Sequence, residues 1–410
     1  MKIGIVLPNP YEWYGGTRSH VLPLAAHLRR RGHEVRILAP RGPVPGEDEP
    51  DLIRLGRTRN IRWNGTQIDL AVALGRHYRE MIEALRRECF DLLHFHTVWN
   101  PFLLPQILLA AGPAARVATF HDAGLRGGWE PLGHLLMASA AWFLGRWFLD
   151  AMIGVSPVTC SYLTRFYRGP VWRIPNGIET ARFAPGRVEP LPQYRDGRLN
   201  ILFLGRLEER KGVRILLEAY ARLRARHAEV RLLLAGEGYL RAEIESWLAR
   251  RRLPDVHLLG RVSDEDRCRL FATCDIFCSP APYGESFGIV LLEAMASGKP
   301  AVGAANAGYR SVLTGLGQRL LVEPGSVAAL EARLAELIEN PDLRHQLGAW
   351  GLAEARQYDW SRLVGAVEEV YRQALARRRG RVPGEPARRP WRLPSRRPAG
   401  AGWRSSGASG

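Results

Sequence analysis

Two carboxylates frame the most informative stretch of the chain, GESFGIVLLEAM at Gly284–Met295. The stretch follows a β-rich run and a proline-containing loop, Ser279–Tyr283, and then turns apolar as a helix start does. Glu285 stands at the end of the loop and Glu293 eight positions later, about 12 Å along a helix axis. The amides of Ser286, Phe287, Gly288 and Ile289 fall at the expected helix start, where unsatisfied donors make an anion site. A carboxylate at each end of a phosphate site suits a sugar nucleotide. Glu285 would then bind hexose hydroxyls, the amides a phosphate, and Glu293 the ribose diol. An ordinary N-terminal acid followed by an exposed helical glutamate gives the same spacing.

A second constellation is FLGRLEERKG, Phe203–Gly212, in which Arg206 and Lys211 flank an acidic turn between a strand and a helix. Two cations at that edge suit a diphosphate, although for this motif alone a pair of solvated surface charges is the commoner case. Gly236-Glu237-Gly238 needs nothing beyond a tight turn. Near the N-terminus, Gly15-Gly16-Thr17 opens an amphipathic helix, and glycine there permits close approach of a phosphate to the backbone. The pattern is neither Gly-x-Gly-x-x-Gly nor a P-loop, so a dehydrogenase and an NTPase lose support. His121 ends the strand RVATFH, where an imidazole facing a cleft could donate a hydrogen bond or move a proton, and a structural loop histidine fits the position equally. His94 and His96 alternate on a buried strand and His20 lies in the first helix, so packing is the expectation for all three. Cys274 and Cys278 have a metal-like gap but no partner cluster, and no metal site is expected. Cys89, Cys160 and Cys268 read as small buried apolar residues.

These groups must be positioned by something, and the hydrophobic pattern says what. Short β-rich runs alternate with longer helical patterns in two series. The first comprises Lys2–Pro8, Glu34–Pro40, Leu92–Thr97, Arg116–Asp122 and Ala151–Ser156. The second comprises Asn200–Leu207, Val230–Gly238, Val256–Val262, Ile276–Pro280 and Pro300–Ala305. The expected fold is α/β, two Rossmann-like doubly wound parallel-sheet domains facing a cleft, with ligands outside the carboxyl ends of the strands. The divisions are 1–183, a linker 184–198, 199–358, a C-terminal helix 359–376 that crosses back, and a basic tail 377–410. Glu354–Ala376 reads as one helical segment running past Tyr358-Asp359-Trp360.

Composition sets the outer limits. The chain has 410 residues, 46% apolar and 24% charged, the profile of a globular protein with more than one core. Pro8 and Pro10 interrupt the N-terminal apolar stretch, which argues against a secretory signal, and five cysteines without framework spacing argue for a reducing compartment. A cytoplasmic protein is expected. The net charge is +17, and from Arg377 onward ten arginines face one acid, Glu385. Such a tail repays little of its ordering entropy by burial and reads as a disordered, solvated segment with no specific partner; the functional alternative is attraction to anionic lipid heads, with nucleic acid behind it. The apolar stretch Gly133–Asp150, with Trp142 and Trp147, reads as a buried helix or as a membrane-surface element.

Together, GGTRSHV (Gly15–Val21), ATFHDAG (Ala118–Gly124), IPNGIE (Ile174–Glu179), FLGRLEERKG and GESFGIVLLEAMASG (Gly284–Gly298) resemble the family 4 retaining glycosyltransferases of the GT-B fold. More narrowly, the chain is similar to the phosphatidylinositol α-mannosyltransferases from about Met1 to Ala376. The resemblance implies that Arg206 and Lys211 bind the donor diphosphate, Glu285 the transferred sugar and Glu293 the ribose. It places Gly16 beside the diphosphate, His121 beside the sugar and Asn176-Gly177 near the interdomain crossing. It also implies a nucleotide-sugar donor such as GDP-mannose or a UDP-hexose, with no essential metal because cations stand in for one. Asn64 and Thr66, with His20, are the candidate acceptor contacts. One stretch departs from the pattern: after Asn64-Gly65-Thr66, Gln67, Ile68 and Asp69 supply no cation where lipid-phosphate-binding relatives have an arginine.

The expected activity is retaining transfer of a hexose, mannose or glucose, from a nucleotide sugar to a lipid-linked or glycan acceptor. The expected location is the cytoplasm, peripheral on the inner face of the cell membrane. The rival is a catalytically silent nucleotide-sugar or nucleic-acid binder with a basic tail, which would have lost part of the set Arg206, Lys211, Glu285 and Glu293. A sugar-nucleotide epimerase would need a Tyr-x-x-x-Lys base and a dinucleotide glycine motif, and the sequence offers no suitable pair.

Overall fold

The computed structural model describes every residue except 14, 43–48, 64–65, 98–101, 122–147 and 381–410, and only the backbone of 59–63, 66–69 and 166. Two sheets organise the chain. The first has eight strands, β1 Lys2–Val6, β2 Glu34–Arg41, β3 Leu52–Trp63, β4 Thr66–Val72, β5 Leu92–His96, β6 Ala115–Phe120, β7 Ala151–Gly154 and β8 Val171–Arg173, in the order 4-3-2-1-5-6-7-8. The second has six, β9 Leu199–Leu204, β10 Val230–Ala235, β11 Val256–Gly260, β12 Ile276–Ser279, β13 Ala301–Ala304 and β14 Leu321–Val322, in the order 11-10-9-12-13-14. Pairing is parallel throughout except at β3–β4, an antiparallel hairpin on the edge of the first sheet.

Each order reverses direction at one place, between β1 and β5 in the first sheet and between β9 and β12 in the second. The loops leaving such neighbouring strands diverge to opposite faces and open a crevice at their carboxyl ends. The β1 loop leads to Gly16, and His121 follows β6, the next strand but one. The β9 loop carries Arg206, and the β12 loop carries Glu285. All the chemistry-bearing motifs therefore issue from one edge of each sheet.

The structure contains more strands than the sequence pattern indicated. The β3–β4 hairpin, β8 and β14 are additional. The first interleaves arginines with apolar residues on a sheet edge, and the others span only three and two residues. The C-terminal segment is also not one helix. Helix Pro341–Ala355 ends in a tight turn at Arg356–Tyr358, and Asp359 caps a new helix, Trp360–Arg378, by accepting from the Ser361 amide.

That last helix leaves the second domain and packs on the first. Its buried residues Trp360, Leu363, Val364, Val367, Tyr371 and Ala374 follow helical spacing and join Val21, Leu24 and Leu28 of helix Gly16–Arg30 over one face of the first sheet. At the crossing, Ile178 bridges Asp359, and Thr180 bonds the Asp359 carboxylate through both its amide and its hydroxyl. Gly177 is required there: a Cβ would come within 2.5 Å of the Trp360 ring. The helix extends to Arg378, two residues past the division expected at 376, with Arg377 and Arg378 bonded to the carbonyls of Asp150 and Gly112. Residues 184–198 pack on the second domain: Tyr194 is buried and Leu191 donates to the Thr273 hydroxyl.

Candidate functional site

The β9 loop and the β12 loop meet in a chain of alternating charges. Arg206 pairs with Glu208 at 2.8 Å, and Glu208 also takes Arg210 at 3.2 Å. Arg210 reaches on to Glu285 at 3.3 Å, and Lys211 closes on the same Glu285 oxygen at 2.6 Å. Glu208 is buried, Lys211 and Glu285 are mostly so, and Arg206 is about half exposed at 47% of its side chain. Burial pulls the Lys211 amine below its ordinary pKa although Glu285 pulls it back up. Arg206 and Lys211 thus occupy the two ends of the network. Arg210 and Glu208, not singled out from the sequence, join them; they belong to the same LEERK turn, and their charge alternation is the signal that marks them.

Glu285 is presented on a bend. Gly308 lies so close behind it that a Cβ would meet the Glu285 carbonyl at 2.4 Å. The helix that follows runs only from Ile289 to Ala296, capped by Gly288 in the left-handed region (φ 118°). Ser286, Phe287 and Gly288 therefore precede the helix, contrary to the expected helix start, and Glu285 and Glu293 are not on one continuous axis. Across the cleft, the Ser286 hydroxyl donates to the His121 carbonyl, and Gly16 faces Ile289, whose Cδ1 would lie 3.8 Å from an added Cβ.

Glu293 is not the exposed helical acid that spacing alone allows. It is 1% exposed; Oε1 lies 3.4 Å from Arg267, and Oε2 is buried without a partner. Burial raises its pKa, with Arg267 opposing. A cavity of about 160 Å³ opens beside it between the two domains, lined by Arg18, Ser19, Glu179, Asp264 and Arg267. Arg18 crosses to Asp264 at 3.3 Å and Arg267 crosses to the Ser19 hydroxyl at 3.1 Å. A carboxylate oxygen stranded beside a cavity is a group awaiting a donor, such as a ligand hydroxyl.

On the first domain the histidines converge. His96 Nδ1 and His121 Nε2 share a hydrogen bond of 2.9 Å, and His20 packs edge-on against His121 and Trp360. His94 is fixed by Thr119 and by Tyr371 of the last helix, each at 2.7 Å. Burial holds all four rings neutral, with His121 lowered to about 4 and His94 to about 3. The nitrogens of His20, His96 and His121 lie within 4.8 Å of one another, the one three-residue set among the described residues able to hold a cation. His20 thus belongs to this cluster.

Asn64 lies outside the described residues, as do the Thr66 side chain, nearly all of Gly133–Asp150 and the tail beyond Gly380. Cys274 and Cys278 are buried thiols with raised pKa values, that of Cys274 about 12. Cys268 is buried, whereas Cys160 is half-buried and Cys89 is exposed in a left-handed helix cap, so the expectation of burial fails there.

Two facing α/β domains with this cleft define a nucleotide-sugar transferase class, and comparison with known proteins makes the class specific. Residues 14–182 match the family description Glycosyltransferase Family 4, and residues 192–351 match Glycosyl transferases group 1. The phosphatidyl-myo-inositol mannosyltransferase of Mycobacterium tuberculosis is 34% identical over 383 residues, covering 90% of this chain and 96% of that protein. A GDP-mannose-dependent alpha-mannosyltransferase of the same organism is 27% identical over 87% of this chain and 91% of its own length. Among solved structures, sucrose-phosphate synthase from Thermosynechococcus elongatus superposes with a TM-score of 0.72 at 22% identity, over 92% of this chain and 99% of that one. Anabaena HepE in complex with UDP and glucose gives 0.69 at 19%, over 90% and 98%. The chain belongs to the glycosyltransferase family 4 group of GT-B enzymes and is a hexosyltransferase. A catalytically silent binder finds no support.

Proposed function

We propose that the enzyme moves a mannosyl unit from GDP-mannose to a lipid-linked acceptor with retention of configuration. The observation that carries this is the Lys211–Glu285 pair set against His121 and Gly16 across the cleft. The mannosyl unit is favoured over glucose by the mannosyltransferase relatives, two of which are named above.

In this reading the donor diphosphate divides the charge chain. Its oxygens take Arg206 and Lys211, which frees Glu285 for the sugar hydroxyls, while the ribose diol satisfies the stranded Glu293 oxygen. The bond from the anomeric carbon to the diphosphate breaks. The acceptor oxygen bonds that carbon on the same face, and its proton passes to the leaving diphosphate. Arg206 and Lys211 stabilise the charge that develops on the leaving group, the task a metal ion performs elsewhere. No essential metal is needed.

The acceptor is a polar head at the inner face of the membrane, reached by a protein bound peripherally through its basic tail. Among the described residues no helix is long and apolar enough to cross a membrane. Purified protein should release GDP from GDP-mannose faster than nucleotide from UDP-hexoses, in the presence of chelator, and with vesicles of total lipid extract rather than soluble glycans. The product should be α-linked by NMR. A β linkage refutes the mechanism, and activity confined to soluble acceptors refutes the membrane part.

A further inference from the structure

The hydrogen bond between His96 Nδ1 and His121 Nε2 has one proton to share, and the surroundings decide which ring carries it. His96 is fully buried, and its other nitrogen, Nε2, has no partner. If His121 donated, neutral His96 would carry its own proton on Nε2, a buried N–H with no acceptor. If His96 donates, Nε2 keeps only a lone pair, and an unpaired acceptor is tolerated better than an orphaned buried N–H. His121 Nε2 then accepts, and the neutral His121 ring must carry its proton on Nδ1.

We propose that His96 is a positioning residue that fixes His121 as the Nδ1–H tautomer, so that His121 offers the cleft a hydrogen-bond donor and not a base. The half-buried His121 ring sits at the domain contact, where its own carbonyl receives the Ser286 hydroxyl, so Nδ1 is the nitrogen left for a ligand. Its target is a substrate oxygen, a sugar hydroxyl or the leaving oxygen, and it takes no proton from the acceptor. His94, locked by Thr119 and Tyr371, stacks against His96 with ring centroids 4.3 Å apart and fixes its plane. This assignment rests on the reading of the cleft proposed above.

Two-bond proton–nitrogen NMR on the full chain labelled at histidine tests it directly, with His121→Gln and His96→Asn assigning the signals. The expected spectrum at neutral pH shows His121 protonated on Nδ1 and His96 also on Nδ1. A His121 protonated on Nε2 overturns the proposal. Kinetics supply the second arm. His96→Leu should lower kcat about tenfold, the weight of one misdirected hydrogen bond, while donor KM stays near wild type. His96→Asn places an amide N–H near the lost Nδ1–H and should restore kcat to within about threefold. Equal loss in both folded variants overturns the positioning role. If folded His121→Ala turns over at the wild-type rate, the cleft reading itself fails, whatever the tautomer.

Discussion

Lys211 is held at a cost in the unliganded protein, and its replacement should separate stability from activity. Its ammonium lies 2.6 Å from Glu285 Oε1, yet burial outweighs that attraction and leaves its pKa below the ordinary value. The folded environment therefore disfavours the charge relative to water. Sign follows: a lysine depressed in the folded state weakens stability as pH falls through its folded pKa, so at neutral pH the cation is already a burden. Lys211→Met keeps most of the side-chain volume, and Arg210 still holds Glu285 at 3.3 Å. Breaking a buried pair with no such substitute costs about 3–5 kcal/mol, so here the loss should stay below about 2 kcal/mol. Transfer should suffer far more. A charge-assisted contact to a diphosphate is worth about 1.5–3 kcal/mol, and charge developing on the leaving group adds to it. We expect kcat/KM to fall about 100-fold or more. The assays are denaturant unfolding without ligand and nucleotide release with donor and acceptor. Added GDP should raise the melting temperature of the wild type and much less that of the variant. Near-wild-type turnover in folded Lys211→Met refutes the diphosphate site, and a stability loss above about 4 kcal/mol refutes the strained cation.

Further expectations concern the other buried groups. Burial raises the Glu293 pKa, so its carboxylate weakens the fold above that pKa; Glu293→Gln should raise the melting temperature at neutral pH while weakening donor binding, as calorimetry would show. The depressed histidines act in the opposite direction, stabilising the protein above their unfolded pKa of about 6.5 and losing that contribution as pH falls toward the folded values. His94 and His121 alone should remove about 4 kcal/mol between about pH 7 and 5, visible in denaturant melts; flat stability over that window contradicts their burial as neutral rings. Gly177→Ala should destabilise by about 1–3 kcal/mol through its clash with Trp360, and Gly177→Ala with Trp360→Leu should recover part of the loss in the same melts.

The sequence carries the parts of this fold that repeat. Apolar runs such as VRLLLA and NILFLG are buried on both faces and read as parallel strands at sight. The β3–β4 hairpin escaped because β3 interleaves Arg54, Arg57, Arg59 and Arg62 with its apolar residues, so no continuous apolar run marks it in the sequence. Residue types and spacing singled out Arg206, Lys211, Glu285 and Glu293 as candidates, but not the contacts they make. That Arg206 and Lys211 stand at opposite ends of a charge chain depends on Arg210 and Glu208 folding between them. The histidine cluster was legible only in fragments. His20, His96 and His121 lie on three separate elements, and no periodicity along one segment reveals that the order of β1, β5 and β6 brings them together.

In the proposed function Glu285 engages the transferred sugar and Glu293 the remote ribose. Transfer from GDP-mannose by folded Glu285→Ala and Glu293→Ala, measured side by side, tests it most directly. Glu285→Ala should abolish turnover at any donor concentration, whereas Glu293→Ala should raise KM and retain kcat at saturation. An inactive Glu293→Ala beside an active Glu285→Ala would contradict it.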